Sequence, residues 1–416
     1  MLLNIKLNIA FRSVISIALF GMLCLSLVID KSAGIAALVM LTISILGLLV
    51  TRNSPTPRVQ KEEWLWIGAT CFYFGLISMD VMTGYGSLRD LDSPSRLILA
   101  IPVFLLVRKI GINLKLLSTG AALGAIASGV YAYYQTVILN HPLPTGFIGS
   151  YIYFGQIALV LSIYSLLSLS RSNKAIENLL YITATVVGLY TVLASGTRGG
   201  WIAIPTVFLF LVTKNIWGFT KTQLMAVIAL VMGLLYASYH TPWLPVQERT
   251  DRALVDIQNY FQNDHVNSSP GHRFEVWKSA WMLAQESNFL GIGEEQFVSK
   301  QKELIASGLI SPVVHNKKPH SQYFNSLAEQ GALGLTSLLL LMLIPLKAFS
   351  REIAHFKGSR TVAAMGASTI ICYLDFMLTQ ETLDRQLMVV IYAFVIAILY
   401  AQMSYQKRTI NAPDNK

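Results

Sequence analysis

Long apolar runs, separated by short polar segments, recur along most of the chain. About twelve of them are candidate membrane-spanning helices, at residues 13–29, 33–51, 64–82, 96–107, 115–139, 148–170, 178–195, 199–213, 222–239, 332–349, 361–379 and 386–404. A run of roughly 18 or more apolar residues is long enough to cross a bilayer as a helix. None of the runs alternates polar and apolar positions as the strands of a membrane barrel do. The pattern predicts an all-α polytopic membrane protein.

Composition and charge support this class. The chain is 54% hydrophobic and only 13% charged, whereas roughly a quarter of a soluble domain is charged. The net charge of +10 does not indicate nucleic-acid binding, because the basic residues are spread over the ends of the apolar runs. With the N-terminus in the cytoplasm, the inner segments carry 19 lysines and arginines and the short outer turns carry five. This asymmetry predicts that both termini are cytoplasmic.

One long polar segment, residues 240–331, interrupts the apolar pattern, and we call it the long loop. We expect residues 1–239 to form spans one to nine, 332–406 to form spans ten to twelve, and 407–416 to form a cytoplasmic tail. The alternation of spans places the long loop on the outer side. Five of the seven histidines lie in it, so we expect it to carry much of the chemistry.

Residues 195–201, Ser-Gly-Thr-Arg-Gly-Gly-Trp, connect the seventh and eighth runs. Glycines break a helix and leave backbone N–H groups free, and the next helix is expected to begin at Gly199 or Trp201. A helix N-terminus, free amides and the guanidinium of Arg198 together form a site suited to phosphate. The alternative is that Arg198 reaches lipid headgroups beside Trp201 as an interfacial anchor.

Residues 271–284 have the periodicity of an amphipathic helix, with Phe274, Trp277 and Trp281 on one face. We expect that face to lie on the bilayer surface or against the spans. Arg273 falls in the first turn, where the helix dipole disfavours a cation. Either an anion compensates this charge or the side chain is solvated.

Pro319-His320 is expected to open a second amphipathic helix that continues into the tenth run. A histidine there either serves as a general base near neutral pH or is a capping or surface residue. A zinc site from His315 and His320 with His265 or His272 is not expected, because the spacing does not bring two ligands to one helix face. Neither a metal nor another cofactor is expected.

These features together resemble the O-antigen ligase family. The resemblance rests on the Thr-Arg-Gly-Gly turn at 197–200, the late long loop and the motif His-x-x-Tyr-Phe-x-x-Leu-Ala-Glu-x-Gly at 320–331. It implies a fold that resembles GT-C-like membrane glycosyltransferases. The same superfamily contains O-antigen polymerases and protein O-oligosaccharyltransferases.

The resemblance implies a metal-independent glycosyl transfer at the periplasmic face of the bacterial inner membrane. The donor would be a glycan on undecaprenyl diphosphate, and the acceptor would be the lipid A–core oligosaccharide. His320 matches the family's histidine and would act as general base, while Arg198 and Arg273 match the arginines that bind the diphosphate. Further candidates for contacts with the diphosphate or the acceptor are Tyr323, Glu329, Lys317, Lys318 and Arg385.

Three alternatives to a ligase remain open. An O-antigen polymerase or a protein O-oligosaccharyltransferase would use the same site, although the modest long loop and the short C-terminal tail favour a ligase. A polysaccharide or lipid transporter is the more distant alternative. Ion-coupled transporters usually need several ionisable groups within the spans, and Asp375 is the clearest one here.

Overall fold

The computed structural model describes residues 2–54, 57–169, 174–218, 220–242, 244–263, 266–315, 317–355 and 358–411. All regular elements within these residues are helices. Among the predictions from sequence, His265 and the end of the tail, residues 412–416, lie outside the described residues.

The α-helices follow the order of the apolar runs, with four further helices inserted in the long loop. They are α1 Leu2–Leu25, α2 Ser32–Val50, α3 Lys61–Met82, α4 Asp92–Ile110, α5 Leu114–Tyr133, α6 Tyr151–Ser168, α7 Ala175–Ala194, α8 Arg198–Thr213, α9 Lys221–Tyr239, α10 Val246–Asn263, α11 Ser269–Glu286, α12 Glu294–Ala306, α13 Gln322–Glu329, α14 Gly331–His355, α15 Arg360–Met377 and α16 Gln386–Asn411. Each predicted span therefore coincides with one helix, and α16 continues into the segment expected to be the tail.

Eight of the described helices are long and apolar enough to cross a membrane, and α8 is a shorter apolar helix. This confirms the prediction of an all-helical, polytopic membrane protein. The count of twelve spans stays a prediction, because α4, α9 and α15 coincide with predicted spans without belonging to these eight.

Hydrogen bonds between distant parts of the chain mark the two ends of the helical bundle. At the end where Ile112 follows α4, Arg12 Nη2 of α1 donates to the carbonyl of Ile112 at 3.0 Å, and the N–H of Ile112 donates to Gln402 Oε1 of α16 at 2.8 Å. At the opposite end, which we call the loop end, Ser93 Oγ donates to the carbonyl of Asp384 at 3.1 Å. These contacts place the start of α4 beside the turn between α15 and α16, and the end of α4 beside α1.

Close helix contacts explain where the bundle is tightest. A Cβ atom at Gly124 would lie 2.1 Å from the carbonyl oxygen of Leu23, so α5 approaches the backbone of α1 at this point. Residues 388–403 of α16 are all buried, and this helix packs mainly against α4. A helix that is apolar on every side belongs in the interior of a bundle.

The long loop has a hydrophobic core of its own, formed by residues of α11 to α13 that include Val276, Phe297 and Ala328. Trp277 stacks on Phe324 of α13 with ring centroids 5.3 Å apart. The predicted placement of the whole aromatic face on the bilayer or the spans is therefore wrong for Trp277. An aromatic partner from a later part of the loop covers it instead.

The prediction that His320 opens a helix which continues into the tenth run is also wrong. Ser321 is the N-cap of α13, so the helix starts at Gln322, and His320 precedes it in the left-handed conformation with φ of 49°. Gly331, with φ of 70°, separates α13 from α14. Two backbone turns, which periodicity alone does not reveal, account for the difference.

Candidate active site

A cavity of about 470 Å³ lies at the loop end, where α6, α11, residues 317–320 and the turn between α15 and α16 meet. Its lining residues are Ser150, Ile152, Tyr153, Ser269, His272, Arg273, Val276, Lys317, His320, Gln380 and Arg385. Three of these carry a permanent positive charge, and none of the described lining residues is acidic. The cavity is therefore electrostatically suited to an anion.

A carboxylate holds His320 within this cavity. The backbone N–H of His320 donates to Oε1 of the buried Glu381 at 2.8 Å, and the imidazole Nδ1 lies 3.9 Å from Oε2. Nδ1 has no hydrogen-bond partner among the described residues. A carboxylate beside Nδ1 favours the tautomer protonated there, which leaves the lone pair on Nε2.

The electrostatic environment keeps the imidazole of His320 neutral. Burial lowers its pKa below the ordinary value, and the neighbouring charges of Arg273, Arg385 and Lys317 lower it further. Neutral imidazole is the form that accepts a proton. The surroundings of His320 therefore favour a general base near neutral pH.

Hydrogen bonds from other elements fix the segment that carries His320. Trp277 Nε1 donates to the carbonyl of Pro319 at 2.8 Å, and Gln301 Nε2 donates to that of Lys317 at 3.1 Å. The backbone N–H of Gln322 donates to the carbonyl of Gln380 at 3.2 Å. These contacts hold the segment in place before any ligand binds.

Arg273 and Arg198 lie close enough to influence each other. Burial lowers the pKa of the Arg273 guanidinium, and the charge of Arg198 lowers it further. Arg198 is the first residue of α8, next to the N-cap Thr197, whose Oγ1 donates to the carbonyl of Tyr151 at 3.0 Å. The structure thus places Arg273 and His320 in one cavity, and Arg198 beside it rather than among the described lining residues.

The remaining candidate residues divide into two groups. Lys317 and Arg385 line the cavity. Tyr323, Lys318 and Glu329 are outside the described lining. The Tyr323 hydroxyl donates to the carbonyl of Leu374 at 2.8 Å. Lys318 Nζ forms an ion pair with Glu294 and lies 3.7 Å from Oε1 of Glu329.

Sequence reasoning missed Glu381 as the partner of His320, and His272 and Tyr153 as lining residues. Glu381 is 61 positions beyond His320, so no local spacing connects the two. The sequence did offer one signal for Glu381: it lies four residues before Arg385, in the short polar turn between the last two apolar runs. Arg385 also stacks over the ring of Tyr153, 5.9 Å from its centroid.

Residues 183–339 match the family model described as O-Antigen ligase. The chain carries an O-antigen ligase family domain. This domain contains Arg198, Arg273 and His320 and the whole long loop, so the resemblance inferred from the motifs is confirmed. Glu381, the partner of His320, and Arg385, which lines the cavity, both lie beyond the matched residues.

A relative extends the similarity beyond the O-antigen ligase family domain. An uncharacterized protein of Haemophilus influenzae (strain ATCC 51907 / DSM 11121 / KW20 / Rd) is 25% identical over 367 residues, which cover 86% of this chain and 90% of that protein. The similarity therefore includes helices on both sides of the domain. The family match and the apolar helices together support a membrane protein related to glycosyl-transfer enzymes.

Proposed function

We propose that this protein transfers a glycan from undecaprenyl diphosphate to the lipid A–core oligosaccharide, at the periplasmic face of the bacterial inner membrane. The proposal follows from the family and from the chemistry that the cavity residues offer. Both termini would be cytoplasmic, and membrane lipids would surround the helical bundle.

The observation that carries the proposal is the shared cavity of His320 and Arg273. These residues come from different parts of the long loop, and Arg385 joins them from the turn between α15 and α16. A neutral imidazole beside several fixed cations suits a reaction in which a hydroxyl loses a proton while an anionic group departs.

In the proposed reaction, the acceptor hydroxyl oxygen attacks the anomeric carbon of the donor glycan. The bond between that carbon and the diphosphate oxygen breaks, and its electron pair leaves with undecaprenyl diphosphate. Nε2 of His320 takes the hydroxyl proton, while Glu381 stabilises the resulting imidazolium. Arg273, assisted by Arg198, stabilises the charge that develops on the departing diphosphate.

The test of the acceptor uses a strain whose own copy of this gene is deleted. If the protein is a ligase, we expect the deletion to leave polymeric glycan on the lipid carrier, and the intact gene to restore polymer on lipid A–core. Single repeat units on the core would instead identify a polymerase. Loss of glycan from periplasmic proteins, with a normal lipopolysaccharide ladder, would identify a protein oligosaccharyltransferase.

A further inference from the structure

His272 and Lys317 form a second pair of polar side chains within the same cavity. Lys317 Nζ lies 3.1 Å from Nδ1 of His272, and both residues line the cavity. An ammonium group has only protons to donate, so Nδ1 is the acceptor in this contact. His272 is therefore the neutral tautomer that carries its proton on Nε2.

Nε2 of His272 is buried and has no hydrogen-bond partner among the described residues. Leaving a buried donor unpaired is costly, and a ligand oxygen in the cavity would remove that cost. Burial and the charge of Lys317 lower the pKa of His272 below its ordinary value, which keeps it in the neutral form. Its Nε2–H is thus a permanent donor near neutral pH, rather than a proton carrier.

Two hydrogen bonds fix the backbone of Lys317, the partner of His272. Its N–H donates to the carbonyl of Val314 at 3.0 Å, and its carbonyl accepts from Gln301 Nε2 at 3.1 Å. The ammonium group retains further protons that can contact an anion beside the imidazole. A neutral donor and a cation side by side suit one phosphoryl group, since both supply only hydrogens.

His272 and Arg273 are consecutive residues in the first turn of α11. Consecutive helical side chains project about 100° apart, so the imidazole and the guanidinium approach the cavity from different directions. A single phosphoryl group would not fully engage both, whereas two linked phosphoryl groups would.

We propose that His272 and Lys317 form a second phosphate subsite, which makes the cavity select diphosphates over monophosphates. In this arrangement Arg273 contacts one phosphoryl group, and the His272–Lys317 pair contacts the other. The inference rests on the proposed function, because it assumes that a polyprenyl diphosphate enters the cavity.

The experiment measures binding without turnover, in the full-length protein with His320→Ala. Farnesyl diphosphate and farnesyl monophosphate are titrated separately in detergent, and their dissociation constants are compared. His272→Phe removes both ring nitrogens at similar size, and His272→Gln restores a side-chain N–H donor. His315→Phe, at an exposed histidine of the same loop, is the matched control.

We expect His272→Phe to weaken diphosphate binding by about tenfold, the usual effect of losing a hydrogen bond to a charged group. Monophosphate binding should change far less, and His272→Gln should regain most of the preference for diphosphate. An unchanged preference in His272→Phe would overturn the subsite while leaving the proposed function intact. If the His320→Ala parent binds no farnesyl diphosphate, the proposed function fails, and the subsite fails with it.

Discussion

The backbone N–H of His320 and its imidazole Nδ1 face the two oxygens of one carboxylate, that of Glu381, at 2.8 Å and 3.9 Å. His320 has φ of 49°, a conformation that costs a residue other than glycine about 1–2 kcal/mol. The hydrogen bond to Glu381 offsets part of that cost. One buried side chain thereby fixes the backbone of His320 and places a carboxylate beside its ring.

Glu381→Gln tests this relationship. Glutamine keeps an oxygen for the His320 N–H but cannot neutralise the imidazolium that forms during proton transfer. We expect kcat to fall by about 10- to 100-fold, part of the 10²–10⁴ that a general base contributes, with little change in KM. The measurement is steady-state glycan transfer by the purified variant in vesicles. Asp384→Asn, in the same turn, is the matched control, and an unchanged kcat in Glu381→Gln would exclude a role for the carboxylate.

Arg385→Gln should change the pH dependence of the reaction. The charge of Arg385 lowers the pKa of His320, so removing it raises that pKa. Because the base is active when neutral, activity rises as pH increases through this pKa, and the acid limb of the kcat profile should move to higher pH. Arg89→Gln, at an exposed arginine shortly before α4, should leave the limb in place. If the acid limb of the Arg385→Gln profile is unchanged or moves to lower pH, the assignment of His320 as the base is contradicted.

Lys318→Met should destabilise the long loop rather than impair donor binding. Lys318 forms ion pairs with Glu294 and with the buried Glu329, and burial raises the pKa of Glu329. Removing one partner of a buried ion pair costs about 3–5 kcal/mol. Lys318 is partly exposed, so we expect about 2 kcal/mol.

Thermal unfolding of Lys318→Met would measure this loss, with the exposed Lys302→Met in α12 as the control. The opposite result would be normal stability combined with weaker binding of the diphosphate donor. That result would support the contact between Lys318 and the substrate that the sequence predicted.

Gly331→Ala should weaken the junction of α13 and α14. Gly331 has φ of 70°, and a Cβ there would lie 2.2 Å from the carbonyl oxygen of Phe289. Gly308 has a similar φ of 74°, with nothing within 4 Å of its Cβ position, so Gly308→Ala measures the backbone cost alone. That cost is about 1–2 kcal/mol, and the overlap at Gly331 should add about 1–3 kcal/mol. Equal melting temperatures for the two variants would contradict this packing.

The sequence predicted those features of the fold that depend on local pattern. Apolar run length identified the helices, and the glycines around Arg198 correctly placed the break between α7 and α8. The predicted bounds of α13 were wrong because the helix starts after a left-handed turn at His320 and ends before Gly331, which has a positive φ. Backbone turns of this kind are fixed by tertiary contacts, which hydrophobic periodicity does not report.

For the candidate site as well, the sequence indicated residues in local motifs and not the contacts between distant segments. Arg273 and His320 were identified because each belongs to a short motif. Glu381 was missed because it meets His320 only when the turn between α15 and α16 packs against residues 317–320. His272 was missed because its partner Lys317 is 45 positions further along the chain. The substrate contact predicted for Lys318 stays a prediction, and the structure adds that its ammonium group forms ion pairs with Glu294 and Glu329.

The most direct test of the account compares wild type, His320→Ala and the exposed-histidine control His315→Ala, each purified and reconstituted in vesicles. The substrates are an undecaprenyl-diphosphate-linked glycan and lipid A–core, and the joined product is followed by mass spectrometry. We predict that His320→Ala slows transfer by about 10²–10⁴, while donor binding and thermal stability stay close to those of the wild type and His315→Ala keeps its activity. Transfer by folded His320→Ala at the wild-type rate would contradict the account.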